Sequence, residues 1–137
     1  SEVRTTVGGL RSARLEDELV TAHTVLADAG IRASVTGEAD TVALRHRTVA
    51  AWVLREAVTN VVRHSRGTQC HVELGPSSVA VTDDGRGLQA DVLNADRDDH
   101  DAGNGLRGLA ERVEAVGGQL TMTSGAEGRG TTLRVDL

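Results

Sequence analysis

Lysine is absent from this 137-residue chain, and all fifteen of its basic residues are arginine. Any side-chain contact to a phosphate must therefore come from Arg or His, or from backbone N–H groups. Aromatic residues are nearly absent too: Trp52 stands alone, with no Phe and no Tyr. The core must be built from Val, Leu, Ile and Ala, and the aromatic stacking platforms of nucleic-acid binders are missing. A net charge of −5 at pH 7 argues further against DNA or RNA as a partner. Cys70 is the single cysteine, so no disulfide or Cys-based zinc site forms within one chain. Its place in the alternating run TQCHVEL suits a small buried residue rather than a reactive thiol. No run approaches the ~20 apolar residues of a membrane span and no signal peptide is evident, so the expected setting is the cytoplasm.

What is present suits one domain with a real core: 39% hydrophobic and 26% charged residues. Leu15, Leu19, Ala22, Leu26 and Ala29 recur at steps of three and four. With Ser12 as start signal and Gly30 as stop, they predict a helix over 12–29. IRASVTG alternates as a short strand. A long helix is expected over 41–65, then two alternating runs joined by Gly75-Pro76-Ser77 as a β-hairpin. Residues 86–103 lose periodicity and turn acidic. NGLRGLAERVEAVG is an amphipathic helix ended by Gly117-Gly118, and GQLTMTSG with GTTLRVDL closes the chain as a second hairpin. No internal repeat is visible. The order α, β, α, β-β, loop, α, β-β predicts an α+β fold: a two-layer sandwich with helices packed on one face of a mixed, mostly antiparallel sheet.

Three stretches carry chemistry. In REAVTNVVRHS, Glu56, Asn60 and Arg63 share one helix face, with His64 at its border and Ala50, Leu54, Ala57, Val58 and Val61 on the other side. Three polar residues at this spacing commonly form nothing more than a solvated face. Asn is a poor helix former, however, and its carbonyl oxygen is a suitable hard ligand for Mg²⁺. In VAVTDDGRGL, a strand ends at Asp83 and the pattern D-x-G-x-G follows through Gly85 and Gly87. A carboxylate at a strand end can accept a hydrogen bond from an exocyclic amine such as adenine N6, and the glycines let the backbone approach a flat ring. A plain Asp-Gly turn is the competing reading.

The third stretch, DAGNGLRGLAERV, contains Gly103, Gly105 and Gly108 in the order G-x-G-x-x-G. That spacing also opens dinucleotide-binding helices, but those require a strand running into the turn and a parallel strand after the helix. Here DRDDHDA precedes and a hairpin follows, which weighs against NAD. Glycines before a helix N-terminus still suit phosphate, because unpaired N–H groups and the positive dipole end lie there. The acidic stretch ahead of them, with Asp91, Asp96, Asp98, Asp99 and Asp101, reads as a solvated lid over about 86–104 rather than a metal site.

Taken in order, EAVTN with RHS, DDGRG, GNGLRGL and GTTL resemble the asparagine box, the two glycine boxes and the final Gly-Thr box of the gyrase, chaperone and histidine-kinase ATPase superfamily (Bergerat fold). REAVTNVVRHS together with GLRGLAERVEAVGGQL is similar to sensor histidine kinases of the NarX/DesK type, especially actinobacterial ones, over residues 12–137. The resemblance implies that ATP and Mg²⁺ are bound, with Asn60 holding the metal on the phosphates. It implies that Asp83 reads the adenine amine with Thr131 or Thr132 in support, and that Gly85 and Gly87 form the adenine-side turn. Gly103, Gly105, Leu106 and Gly108 would form the lid-to-helix phosphate turn. Arg63 and His64 stand where many such kinases carry a basic residue, so either is a candidate phosphate contact. Glu56 is a catalytic candidate, matching the water-activating residue of the ATPases.

The expected function is the catalytic domain of a two-component histidine kinase, which moves the γ-phosphoryl group of ATP to a histidine on a dimerisation domain. A NarL-type response regulator would receive it, the full-length kinase would be a homodimer, and a membrane anchor elsewhere in it is compatible with this domain. No acceptor box is found, since His100-Asp101 lies in the lid and His23, His46 and His71 lack the context. Residues 1–11 are expected to be the stub of a preceding dimerisation helix, and the fragment is not expected to autophosphorylate. Two competitors are an anti-sigma-factor serine kinase of the same fold and a degenerate docking module without turnover.

Overall fold

The computed structural model describes residues 14–64, 67–85, 100–124 and 130–137. Helix α1 spans Leu15–Asp28, with Leu15, Glu18, Ala22 and Leu26 buried on one face. Ser12 lies outside the described residues. The capping position is Arg14, which makes no side-chain cap, while Glu16, Asp17 and Glu18 place negative charge in the first turn, where the helix dipole favours it. The predicted stop at Gly30 is observed. Gly30 takes a φ of 78° and donates to Ala27, and Ile31 donates to Leu26 at 2.8 Å, a Schellman closure that seats Ile31 beside Leu26.

Strand β1 (Arg32–Thr36) follows, and helix α2 runs over Arg47–His64. The predicted start at 41 is six residues too early. Two short 3₁₀ turns, Ala39–Thr41 and Leu44–His46, occupy the interval instead. The reason is tertiary. Val42 is fully buried with extended backbone, the Ala43 N–H donates to the Pro76 carbonyl, and Arg47 Nε donates to the Val42 carbonyl. A continuous helix would break all three.

Strands β2 (Gln69–Gly75) and β3 (Ser78–Asp83) form the first hairpin, turning through Pro76-Ser77. Helix α3 covers His100–Ala115, and β4 (Gln119–Ser124) pairs with β5 (Thr131–Asp136). The five-stranded sheet has the order β1-β2-β3-β5-β4, with β1 parallel to β2 and every other pair antiparallel. One face carries Cys70, Val72, Leu74, Val79, Val81, Leu133 and Val135 into a core shared with α1, α2 and α3. The other carries polar residues, among them Ser34 and Thr36, whose hydroxyls both hydrogen-bond the ring of His71. The α+β sandwich and mixed, mostly antiparallel sheet are thus as the sequence predicts.

Candidate functional site

The site is built where the end of β3 meets the start of β5. Period-two alternation turns Val79, Val81 and Asp83 toward the helices, and Asp83 is 7% exposed, one of only two buried charged residues among those described. Its Oδ1 accepts the Gly85 N–H at 2.8 Å, closing the D-x-G turn on the carboxylate itself. The Gly85 carbonyl in turn accepts the Gly130 N–H at 2.9 Å. Gly130 sits at φ 76°, and a Cβ there would lie 2.6 Å from the Asp83 carbonyl oxygen. No other residue type fits that crossing without displacing the strand end.

The register separates the two threonines named with Asp83. Thr131 lies directly opposite Asp83, so its side chain leaves the sheet on the same, inner face. Thr132 pairs with Thr82, and their hydroxyls meet at 3.0 Å on the outer face. Of the two, Thr131 is placed to act beside Asp83. Thr132 is turned away because a one-residue step along a strand reverses the face.

A neighbouring carboxylate does separate work. Asp84 accepts the N–H groups of Thr68 (2.8 Å) and Gln69 (2.9 Å) and the Thr68 hydroxyl (2.9 Å), tying the glycine turn to the entry of β2. These bonds, that of the Gln69 N–H foremost, hold its carboxyl below the usual range against a smaller opposing desolvation. Gly67 lies so close that a Cβ would come within 2.7 Å of the Gly85 nitrogen. Gly67, Asp84 and Gly130 are therefore part of the site's frame, and sequence reasoning did not single them out. The doubled Asp before Gly85, and the Gly opening GTTL, are the signals that could have found them. Cys70 pairs with Asp83 across the hairpin. Burial, and then the charges of Asp83 and Asp84, push its thiol up to about 12, so it is the inert residue the sequence suggests.

On α2 the predicted faces are found. Ala50, Leu54, Ala57, Val58 and Val61 are buried, Glu56, Asn60 and His64 are half-buried, and Arg63 is exposed. Trp52, one turn before Glu56, has the Arg112 guanidinium of α3 at 4.2 Å from its ring centroid and that of Arg55 at 5.1 Å. Arg55 also pairs with buried Glu18 of α1 at 3.3 Å.

The backbone of the glycine stretch differs from expectation. The helix is predicted from Asn104, with Gly103, Gly105, Leu106 and Gly108 forming the turn that enters it, yet α3 begins at His100 and all four are helical. Apolar periodicity marks where a helix meets the core, at Leu109 and Val113, whereas its backbone hydrogen bonding propagates upstream of the first buried residue. Gly87 and most of the predicted lid, 86–99, lie outside the described residues, and the remaining lid positions, 100–104, are helical. Among the described residues no group of three His, Cys, Asp or Glu side chains is placed to hold a metal ion, and no helix is long and apolar enough to cross a membrane.

Comparisons with known proteins agree with this geometry. The family described as histidine kinase-, DNA gyrase B-, and HSP90-like ATPase matches residues 45–137. The chain is 31% identical over 126 residues to sensor histidine kinase DesK of Bacillus subtilis, covering 88% of this chain and 32% of that protein. It is 41% identical over 92 residues to sensor histidine kinase NarS of Mycobacterium tuberculosis, covering 62% and 20%. It thus spans about a third or less of the length of these relatives. The histidine kinase domain of a blue-light-activated kinase from Erythrobacter litoralis superposes with a TM-score of 0.62 at 22% identity, covering 88% of this chain and 62% of that one. The cytoplasmic segment of histidine kinase QseC gives 0.58 at 18%, covering 90% and 74%. At such identities these two show the fold alone. With Asp83 seated at the sheet end below α2 and the match running from residue 45 to the last strand, the chain belongs to the histidine kinase-, DNA gyrase B- and HSP90-like ATPase family and is an ATP-binding domain.

Proposed function

We propose that the chain is the catalytic domain of a two-component sensor histidine kinase. It binds Mg·ATP and presents the γ-phosphate to a histidine on a dimerisation domain. The histidine nitrogen attacks the γ-phosphorus, the bond to the β-phosphate oxygen breaks, and ADP leaves. A NarL-type response regulator then takes the phosphoryl group. The observation that carries the reading is the buried Asp83 carboxylate, oriented by Gly85 and faced by Thr131, at the sheet end covered by the helix that bears Asn60. Sensor histidine kinases being the relatives found, the reading is favoured over a serine kinase of the same fold.

Asp83 accepts the adenine amine, and Gly85 keeps the neighbouring backbone low enough for the ring. The half-buried Asn60 offers one hard oxygen. That single donor fits a Mg²⁺ carried in on phosphate oxygens, and among the described residues no cluster would make an all-protein metal site. When bound, the ion neutralises charge on the phosphates. Arg63 and His64 close the α2 side of the phosphates, and Glu56 is positioned to take a proton. Phosphoryl transfer asks mainly for such positioning and charge neutralisation. Asn60→Ala tests the assignment. Calorimetry should show Mg·ATP affinity reduced about tenfold or more, with phosphotransfer to an added dimerisation domain lost in parallel. Wild-type binding and transfer by that variant would remove Asn60 from the site.

A further inference from the structure

Trp52 is the only Phe, Tyr or Trp of the chain; it is half-buried at the edge of the aliphatic core and has two guanidinium groups against its ring. It sits on α2 four residues before Glu56 and eight before Asn60, so the three fall within about 80° of arc. Arg112, the nearer cation at 4.2 Å, comes from α3, in the turn that also buries Leu109 and Val113. Those two aliphatic side chains hold α3 to the core without direction, since burial depends on area and tolerates small slides and rotations. A guanidinium over an indole face is directional and fixes where along α2 the third helix rests. The half of α3 upstream of this tie contains Gly103, Gly105 and Gly108, the weakest helix formers after proline. The C-terminal half is thus the half tied to the core, and the N-terminal half has the lower helix propensity. Arg55 extends the tie to α1, because it touches Trp52 and pairs with Glu18, which is 8% exposed. Glu18, Arg55, Trp52 and Arg112 therefore form one line of contacts across all three helices.

We propose that Trp52 and Arg112 are positioning residues: their stack sets α3 relative to the Glu56–Asn60 edge of α2, and so the width of the phosphate end of the cleft. The inference rests on the ATP reading above. Asp83, Gly85 and Thr131 belong to strand ends and lie outside this line, so the adenosine end is not governed by it.

The test compares wild type, Arg112→Ala and Arg112→Lys for binding of Mg·ATP and of adenosine. Arg112→Ala should weaken Mg·ATP about fivefold to tenfold and leave adenosine within about twofold, and Arg112→Lys, which keeps the charge but not the planar stack, should recover only part of the loss. Emission of the single tryptophan should shift when Mg·ATP, but not adenosine, is added to wild type, and that shift should vanish in Arg112→Ala. If Arg112→Ala does not fold, Arg112→Gln takes its place. Unchanged Mg·ATP affinity in the variant overturns the inference alone. Equal weakening of both ligands also overturns it, because that is what general loosening produces. A wild type that binds no nucleotide overturns the ATP reading and the inference together.

Discussion

The two ends of the proposed nucleotide site are made by opposite means. At the Asp83 end, paired strands set every position: Asp83 faces Thr131 in register, its carboxylate takes the Gly85 N–H, and Gly130 crosses so closely that no Cβ fits. At the other end the parts sit on two helices, α2 with Glu56 and Asn60 and α3 with its three glycines, joined by side-chain contacts. Hydrogen-bonded strands fix relative position to a fraction of a residue step, whereas packed helices slide more readily over aliphatic contacts. The strand-built end, where we propose the base sits, is therefore rigid by topology. The helix-built end, where we propose the phosphates sit, depends on a few side chains, which is where adjustment to a ligand is cheapest.

That contrast can be broken most forcefully at Asp83. Asp83→Asn should weaken ATP by roughly thirtyfold to a hundredfold, because the amine loses a charged acceptor in a buried site. In the wild type GTP should bind far more weakly than ATP, since guanine offers an acceptor where adenine offers an amine. Equal calorimetric affinities for the two nucleotides would take Asp83 out of the base pocket.

Gly130→Ala probes rigidity directly. The strained φ and the 2.6 Å approach to the Asp83 carbonyl should cost about 1–3 kcal/mol of stability, read as a lowered urea midpoint. A variant as stable as wild type would mean that the strand end yields. The matching change at the other end is Gly108→Ala. Nothing stands within 4 Å of its Cβ position, so this helical site should gain about 0.5–1 kcal/mol. ATP affinity should nevertheless fall if the glycine must leave helical geometry to meet phosphate, as the family resemblance implies. A gain in both stability and affinity would show that α3 keeps its helix when ATP binds.

The smallest effect is expected at Asp84. Its carboxyl is held below the ordinary value of 3.8, so the stability it adds is present above that pH and fades as pH falls through the lower folded value. Asp84→Asn should flatten stability against pH only below about 4, and cost under about 1 kcal/mol at pH 7 because the group is well exposed to solvent screening. A change of slope near neutrality would point to another group.

Much of this was legible in the primary structure. The strand alternation, both hairpins, the Schellman stop at Gly30 and the buried and displayed faces of α2 follow from short-range rules, and the ordered set of boxes carries the family. The misses share a cause. The sequence predicts the start of α2 early because nothing local reports that Val42 is pulled into the core and Ala43 is bonded to Pro76, more than thirty positions away. The sequence predicts the start of α3 four residues late, because glycine spacing suggests a turn, while helical hydrogen bonding runs through it.

The sequence by itself therefore determined the elements, the inner and outer residues of each, and the residue types able to meet adenine, metal and phosphate. Periodicity and side-chain chemistry are local properties. Tertiary structure alone decided that Thr131 rather than Thr132 stands beside Asp83, that Gly130 and Gly67 frame the turn, and that Trp52 meets Arg112 across sixty residues of chain. Register between β3 and β5 and the rest position of one helix on another are set by contacts distant in sequence, and a local pattern holds no record of them.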